Sequence, residues 1–155
     1  MLTVGQKAPQ FTLPDQDGTM HALKEYAGKW VLVYFYPKDD TPGCTIEACS
    51  VRDNLPKFTT HKAVVLGIST DSVASHKKFA QKHTLPFTLL ADETKEVVTV
   101  YDVVKEKSMF GKKFEGIERT SFLVDPQGII AKIYYKVNPV THVAAVLKDL
   151  QELQK

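Results

Sequence analysis

Cysteine is scarce in this chain of 155 residues: only Cys44 and Cys49 occur, five positions apart. They cannot provide the disulfide framework of a small secreted domain. A bridge between them would close a loop of about six residues, worth roughly 2 kcal/mol before strain is subtracted. Chemistry is the better reading of the pair. Long apolar runs are missing as well. Nothing approaches the ~18 apolar residues of a membrane span, and Met1-Leu2-Thr3-Val4-Gly5 lacks the basic head and apolar body of a signal peptide. The expected location is therefore intracellular, in the cytoplasm, with no membrane partner. No charge sign dominates. The formal net charge is +2, and Lys and Arg are scattered among Asp and Glu, which argues against a nucleic-acid surface. The histidines, His21, His61, His76, His83 and His142, form no ligand-spaced set with the cysteines, so no metal and no cofactor is expected and the histidines are assigned no chemistry. Repeats, low-complexity tracts and linkers are also lacking. Residues 1–155 are expected to fold as one domain.

What is present reads as alternating strands and helices. Trp30 to Tyr36 is an unbroken aliphatic and aromatic run, too short for a typical helix, which predicts a central strand covered on both faces. Ala63 to Ser69 has the same character. Ser121 to Asp125 and Ile129 to Tyr135, joined through Pro126-Gln127-Gly128, predict an antiparallel hairpin, and Asp17-Gly18 predicts another near the N-terminus. Helices are expected from near Pro42, over Ser72 to His83 behind an Asp71 cap, around Thr94 to Val104, and from Pro139 toward Leu153 with Asn138 as cap. The order implies an α/β class with a central mixed β-sheet flanked by helices and an N-terminal β-hairpin extension. The thioredoxin-like fold has this order.

The segment Tyr36-Pro37-Lys38-Asp39-Asp40-Thr41-Pro42-Gly43-Cys44 leaves the carboxyl end of the first buried strand, where open α/β sheets place their sites. With Thr41 as cap and Pro42 in the first helical position, Cys44 falls in the first turn. Unpaired amides and the positive end of the helix dipole there favour an anion such as a thiolate.

These residues carry a resemblance. Pro37-X-X-X-Thr41-X-X-Cys44 matches the peroxidatic motif of peroxiredoxins. Thr41-Pro42-Gly43-Cys44-Thr45-X-Glu47-Ala48-Cys49 resembles more specifically the bacterioferritin comigratory protein, or peroxiredoxin Q, subfamily. The similarity extends to Gly5-X-X-Ala8-Pro9-X-Phe11-X-Leu13 and to Gly116-Ile117-X-Arg119-X-X-Phe122-Leu123-Val124-Asp125. It implies that Cys44 attacks a peroxide, that Thr41 orients thiolate and substrate, that Pro37 shields the pocket, and that Arg119 is the cation beside the sulfur. Gly43 belongs to the same pocket. Glu47, three residues after Cys44, shares its helix face and is expected to hold Arg119; Tyr36 and Phe110 are candidate pocket walls, with Phe87 and Met109 to Phe114 shaping the opening. Lys112-Lys113 reads as a solvated loop. As a plain structural alternative, Thr41 and Pro42 also serve as helix cap and helix starter.

The resemblance makes Cys49 the resolving thiol and thioredoxin the reductant, although no residue selects thioredoxin over glutaredoxin. Residues five apart on an intact α-helix lie ~7.5 Å apart along its axis and ~140° around it. A disulfide needs Cα atoms within about 7 Å, so the resolving role requires the helix around both cysteines to unwind. Because both thiols belong to one helix, the cycle closes within one chain and suits a monomer. Two other readings stand beside this one. A thiol-disulfide oxidoreductase of the same fold would carry Cys-X-X-Cys, which this chain lacks. A redox sensor or interaction protein switched by the same cysteine pair is the alternative from a different class.

Overall fold

The computed structural model describes residues 1–155. Its elements are β1 Thr12–Pro14, β2 Met20–Ala22, a 3-10 turn Leu23–Tyr26, β3 Trp30–Phe35, α1 Pro42–Thr60, β4 Ala63–Ser69, α2 Val73–His83, β5 Thr88–Ala91, α3 Glu96–Val100, β6 Val104–Met109, β7 Lys112–Ile117, β8 Thr120–Val124, β9 Ile130–Tyr134 and α4 His142–Leu153. Five strands form the central sheet in the order β5-β4-β3-β8-β9. The β5-β4-β3 half is parallel, and β8 and β9 are antiparallel to their neighbours, giving a mixed sheet.

Alternation along β3 builds the two halves of the core. Val31, Val33 and Phe35 join Val97, Val98, Tyr101 and Phe122 on one face. Leu32, Tyr34 and Tyr36 join Ala48, Val51 and Phe58 of α1, Phe79 of α2 and Val143, Val146 and Leu150 of α4 on the other. Successive strand residues point to opposite faces, so a continuous apolar run is what a strand covered on both sides requires. The two predicted hairpins form: β1 pairs with β2 across the Asp17-Gly18 turn, and β8 pairs with β9.

Several elements differ from expectation for local reasons. Ser72, not Asp71, caps α2, accepting from the Ser75 amide at 3.0 Å, while Asp71 turns to Ser69 and Asp39. The helix expected over Thr94 to Val104 shrinks to α3 because its β-branched run is a poor helix former and Lys95 and Asp102, both at positive φ, bound it. Asn138 forms a side-chain turn to the Val140 amide (2.9 Å), so α4 starts later, after Thr141. Lys112-Lys113 lies in strand β7 instead of a loop. Phe110 and Gly111, at φ 52° and 77°, supply the two-residue turn of the exposed β6–β7 ribbon. β5, which follows Phe87 directly, adds a further parallel strand beside β4.

Candidate active site

α1 begins where the chain leaves β3. Thr41 has the extended backbone of an N-cap (φ −94°, ψ 157°) and Pro42 occupies the first turn. The first helical bond runs from the Thr45 amide to the Thr41 carbonyl at 2.8 Å, which leaves the Gly43 and Cys44 amides ahead of the ladder. The Thr41 side chain does not cap the helix. Its hydroxyl donates to the Lys38 carbonyl at 2.9 Å, so its remaining capacity is as an acceptor.

Cys44 is 1% exposed, and Arg119 Nη2 lies 3.2 Å from its Sγ. Arg119 sits immediately before β8, with its carbonyl accepting from the Val137 amide at 2.9 Å, so sheet and loop together fix the origin of the guanidinium. Gly43 is what lets it approach. A Cβ at this position would stand 2.5 Å from Arg119 Nη2 and 3.6 Å from the Pro139 ring. The sulfur thus meets a cation and belongs to the first turn of α1, where the positive end of the helix dipole lies; both favour negative charge.

Glu47 is also buried, one turn further along α1. Burial pushes its carboxyl up to about 7, against the opposing pull of Arg119. The expected Glu47–Arg119 ion pair does not form. No Glu47 oxygen is within salt-bridge distance of Arg119, and Glu47 Oε2 and Arg119 Nη1 are each buried without a partner. Arg119 directs Nη2 to the cysteine sulfur, and Glu47 acts on it through its field alone.

Cys49 is partly buried on the same unbroken helix, and both thiols are free. Pro37 lines a cavity of about 270 Å³ together with Lys38, Lys107, Phe114 and Ile117. Tyr36 is buried in the same half of the core as Cys44, and its hydroxyl is committed to Asp39 at 2.6 Å, so it supports the loop instead of walling an open cavity. Phe110 stands 97% exposed at the ribbon tip and walls nothing, and Phe87 is buried against Tyr34 in the core. The sequence reading passed over Asp39 and His76, which the structure brings together beneath this loop.

A buried, arginine-flanked thiol at a helix start of an α/β sheet is the setting in which thiol chemistry is found. The AhpC/TSA family model matches residues 4–133. The chain is 53% identical over 149 residues to "Putative peroxiredoxin bcp" of Coxiella burnetii, covering 96% of this chain and 99% of that one. It is 44% identical to "Peroxiredoxin Bcp" of Bacillus subtilis, covering 99% and 98%. Among solved structures, a Xylella fastidiosa PrxQ mutant superimposes with a TM-score of 0.95 at 33% identity, covering 100% and 99%. Xanthomonas campestris peroxiredoxin Q gives 0.89 at 41%, covering 94% and 92%. This chain belongs to the AhpC/TSA family, in its bacterioferritin comigratory protein, or peroxiredoxin Q, branch.

Proposed function

We propose that the protein is a thioredoxin-dependent thiol peroxidase that closes its catalytic cycle within one chain. The Cys44 thiolate attacks the terminal oxygen of ROOH. The O–O bond breaks, sulfur becomes a sulfenic acid, and the leaving oxygen takes a proton to depart as water or alcohol. Thr41 Oγ1, its own proton given to Lys38, accepts from the peroxide O–H. Arg119 and the Gly43 and Cys44 amides stabilise the charge passing from sulfur to oxygen. Pro37 shields the pocket. Cys49 then condenses with the sulfenic acid, releasing water and forming a disulfide, and an external dithiol reduces it by exchange. No metal or prosthetic group takes part in these steps, and a monomer suffices for them.

The 3.2 Å contact of Arg119 with Cys44 Sγ at the start of α1 carries this reading. A neighbouring structure supports it: the Xanthomonas campestris bacterioferritin comigratory protein is described with alkyl peroxide reduction activity, which extends the proposed substrates from hydrogen peroxide to organic hydroperoxides. The test is peroxide-dependent NADPH consumption with thioredoxin and its reductase, with glutaredoxin run in parallel. A peroxidase turns over repeatedly, whereas a redox switch consumes a single equivalent.

A further inference from the structure

A buried polar cluster holds the loop between β3 and α1. Asp39 accepts from the Tyr36 hydroxyl at Oδ1 (2.6 Å) and from the Ser75 hydroxyl at Oδ2 (2.8 Å), and His76 Nδ1 lies 2.7 Å from the same Oδ2. His76 is 0% exposed, and its Nε2 faces the Leu90 carbonyl at 2.9 Å. A carbonyl only accepts, so Nε2 carries a proton, and the 2.7 Å gap between Nδ1 and the carboxyl oxygen holds a second one. The Asp39 amide donates to Asp71 Oδ2 at 2.9 Å, which also accepts from the Ser69 hydroxyl at 2.7 Å. Asp39, Asp71 and His76 offer atoms within 4.8 Å of one another, a spacing open to a metal ion, but these hydrogen bonds already engage them.

The ties to α2 continue on both sides of the cysteines. Asp40, at φ 57°, meets Lys82 at 2.7 Å and His83 at 3.1 Å, and Arg52 Nη1 donates to the His83 carbonyl at 2.6 Å. The exposed Asp40 contacts contribute little. The buried pair matters more, because removing either partner strands the other without solvent.

We propose that the Asp39–His76 pair is a positioning anchor for the peroxidatic turn. It fixes the Tyr36–Asp40 loop to α2, so that Pro37, Thr41 and Cys44 keep their arrangement, and it confines the unwinding needed for the disulfide to residues 41–51. Neither residue touches substrate. The inference rests on the peroxidase reading and adds to it a device outside the peroxidatic motif.

Rapid-quench mass spectrometry of the full chain, with dimedone trapping sulfenic acid, separates peroxide attack from disulfide formation. Asp39→Ala is expected to slow attack at least about ten-fold while leaving disulfide formation as fast as in the wild type or faster, since a misplaced site loses rate steeply. Asp39→Asn, whose side-chain oxygen can accept from His76 Nδ1 and the Ser75 hydroxyl while its amide donates to the Tyr36 hydroxyl oxygen, is expected to recover most of the attack rate. A residue that merely stabilises the fold would slow both steps together. Attack by Asp39→Ala within about two-fold of the wild type, equal slowing of both steps, or no recovery in Asp39→Asn overturns the anchor. Nitrogen-edited NMR of the wild type gives a readout independent of variant folding: a protected, downfield proton at His76 Nδ1 is expected, and its absence overturns the pairing. If the wild type forms no sulfenic acid, the peroxidase reading fails, while the NMR result still decides the pair.

Discussion

Gly43 shows how narrow the tolerances around the sulfur are. Gly43→Ala places a methyl 2.5 Å from Arg119 Nη2, so the guanidinium must move off Cys44. We expect kcat/KM for peroxide to fall about ten- to a hundred-fold with a near-native melting temperature, measured by steady-state kinetics and thermal denaturation. Glu47 gives a stability prediction. Its pKa rises from 4.5 in the unfolded chain to about 7 in the folded one, so the folded state holds a proton that the unfolded state has released between those values. Stability from this group is therefore fully present below pH 4.5 and is lost as pH rises through about 7, a difference of roughly 3 kcal/mol. Glu47→Gln should be more stable than the wild type at pH 8 and lose the advantage near pH 4, as read by urea unfolding at both values. The sequence marked Cys44, Thr41 and Arg119 because a contiguous motif and a strand-adjacent arginine leave local patterns. Asp39 and His76 left none. They meet across 37 positions, and a loop aspartate and a helical histidine look ordinary until the fold joins them.

In the proposed cycle α1 has to be stable enough to present Cys44 and weak enough to open. Its first turns contain Gly43, Thr45 and Ile46, all poorer helix formers than Ala or Leu, and the Thr41 hydroxyl gives no cap. Pro56 lies inside the helix and has no N–H for the Arg52 carbonyl, so the ladder is interrupted just beyond the cysteine-bearing half. Pro56→Ala should restore that bond and slow disulfide formation several-fold without altering peroxide attack, again by rapid quench. Amide exchange over residues 42–51 should accelerate in the disulfide form; full protection there would contradict the unwinding. The helix start was readable from Thr41-Pro42, and β3 and β4 from their apolar runs. The β6–β7 ribbon was not, because its exposed faces leave no apolar pattern and its turn rests on Phe110 at φ 52°, a conformation that residue type does not advertise.

At the scale of the whole molecule, both faces of the sheet are covered, and the face packed by α1, α2 and α4 also holds Cys44. His142 lies in this packing, with Nε2 2.8 Å from the Ser121 hydroxyl, and burial pulls its pKa down to about 4. Its contribution is present above the unfolded value of 6.5 and is lost as pH falls toward 4, opposite in sign to that of Glu47. The two oppose each other over the shared window, so Glu47→Gln should make stability rise more steeply with pH between about pH 4.5 and 6.5 than it does in the wild type. The general mixed-sheet plan was legible because it follows from strand and helix order, whereas the linkage between faces, loops and α2 depends on side-chain contacts between distant segments. In the proposed cycle one chain carries the whole oxidative half. The intact mass and tryptic map of the protein after one equivalent of peroxide decide this. An intramolecular Cys44–Cys49 disulfide in monomeric protein is expected; a stable Cys44 sulfenic acid with Cys49 still free, or a bond between two chains, would overturn the single-chain cycle.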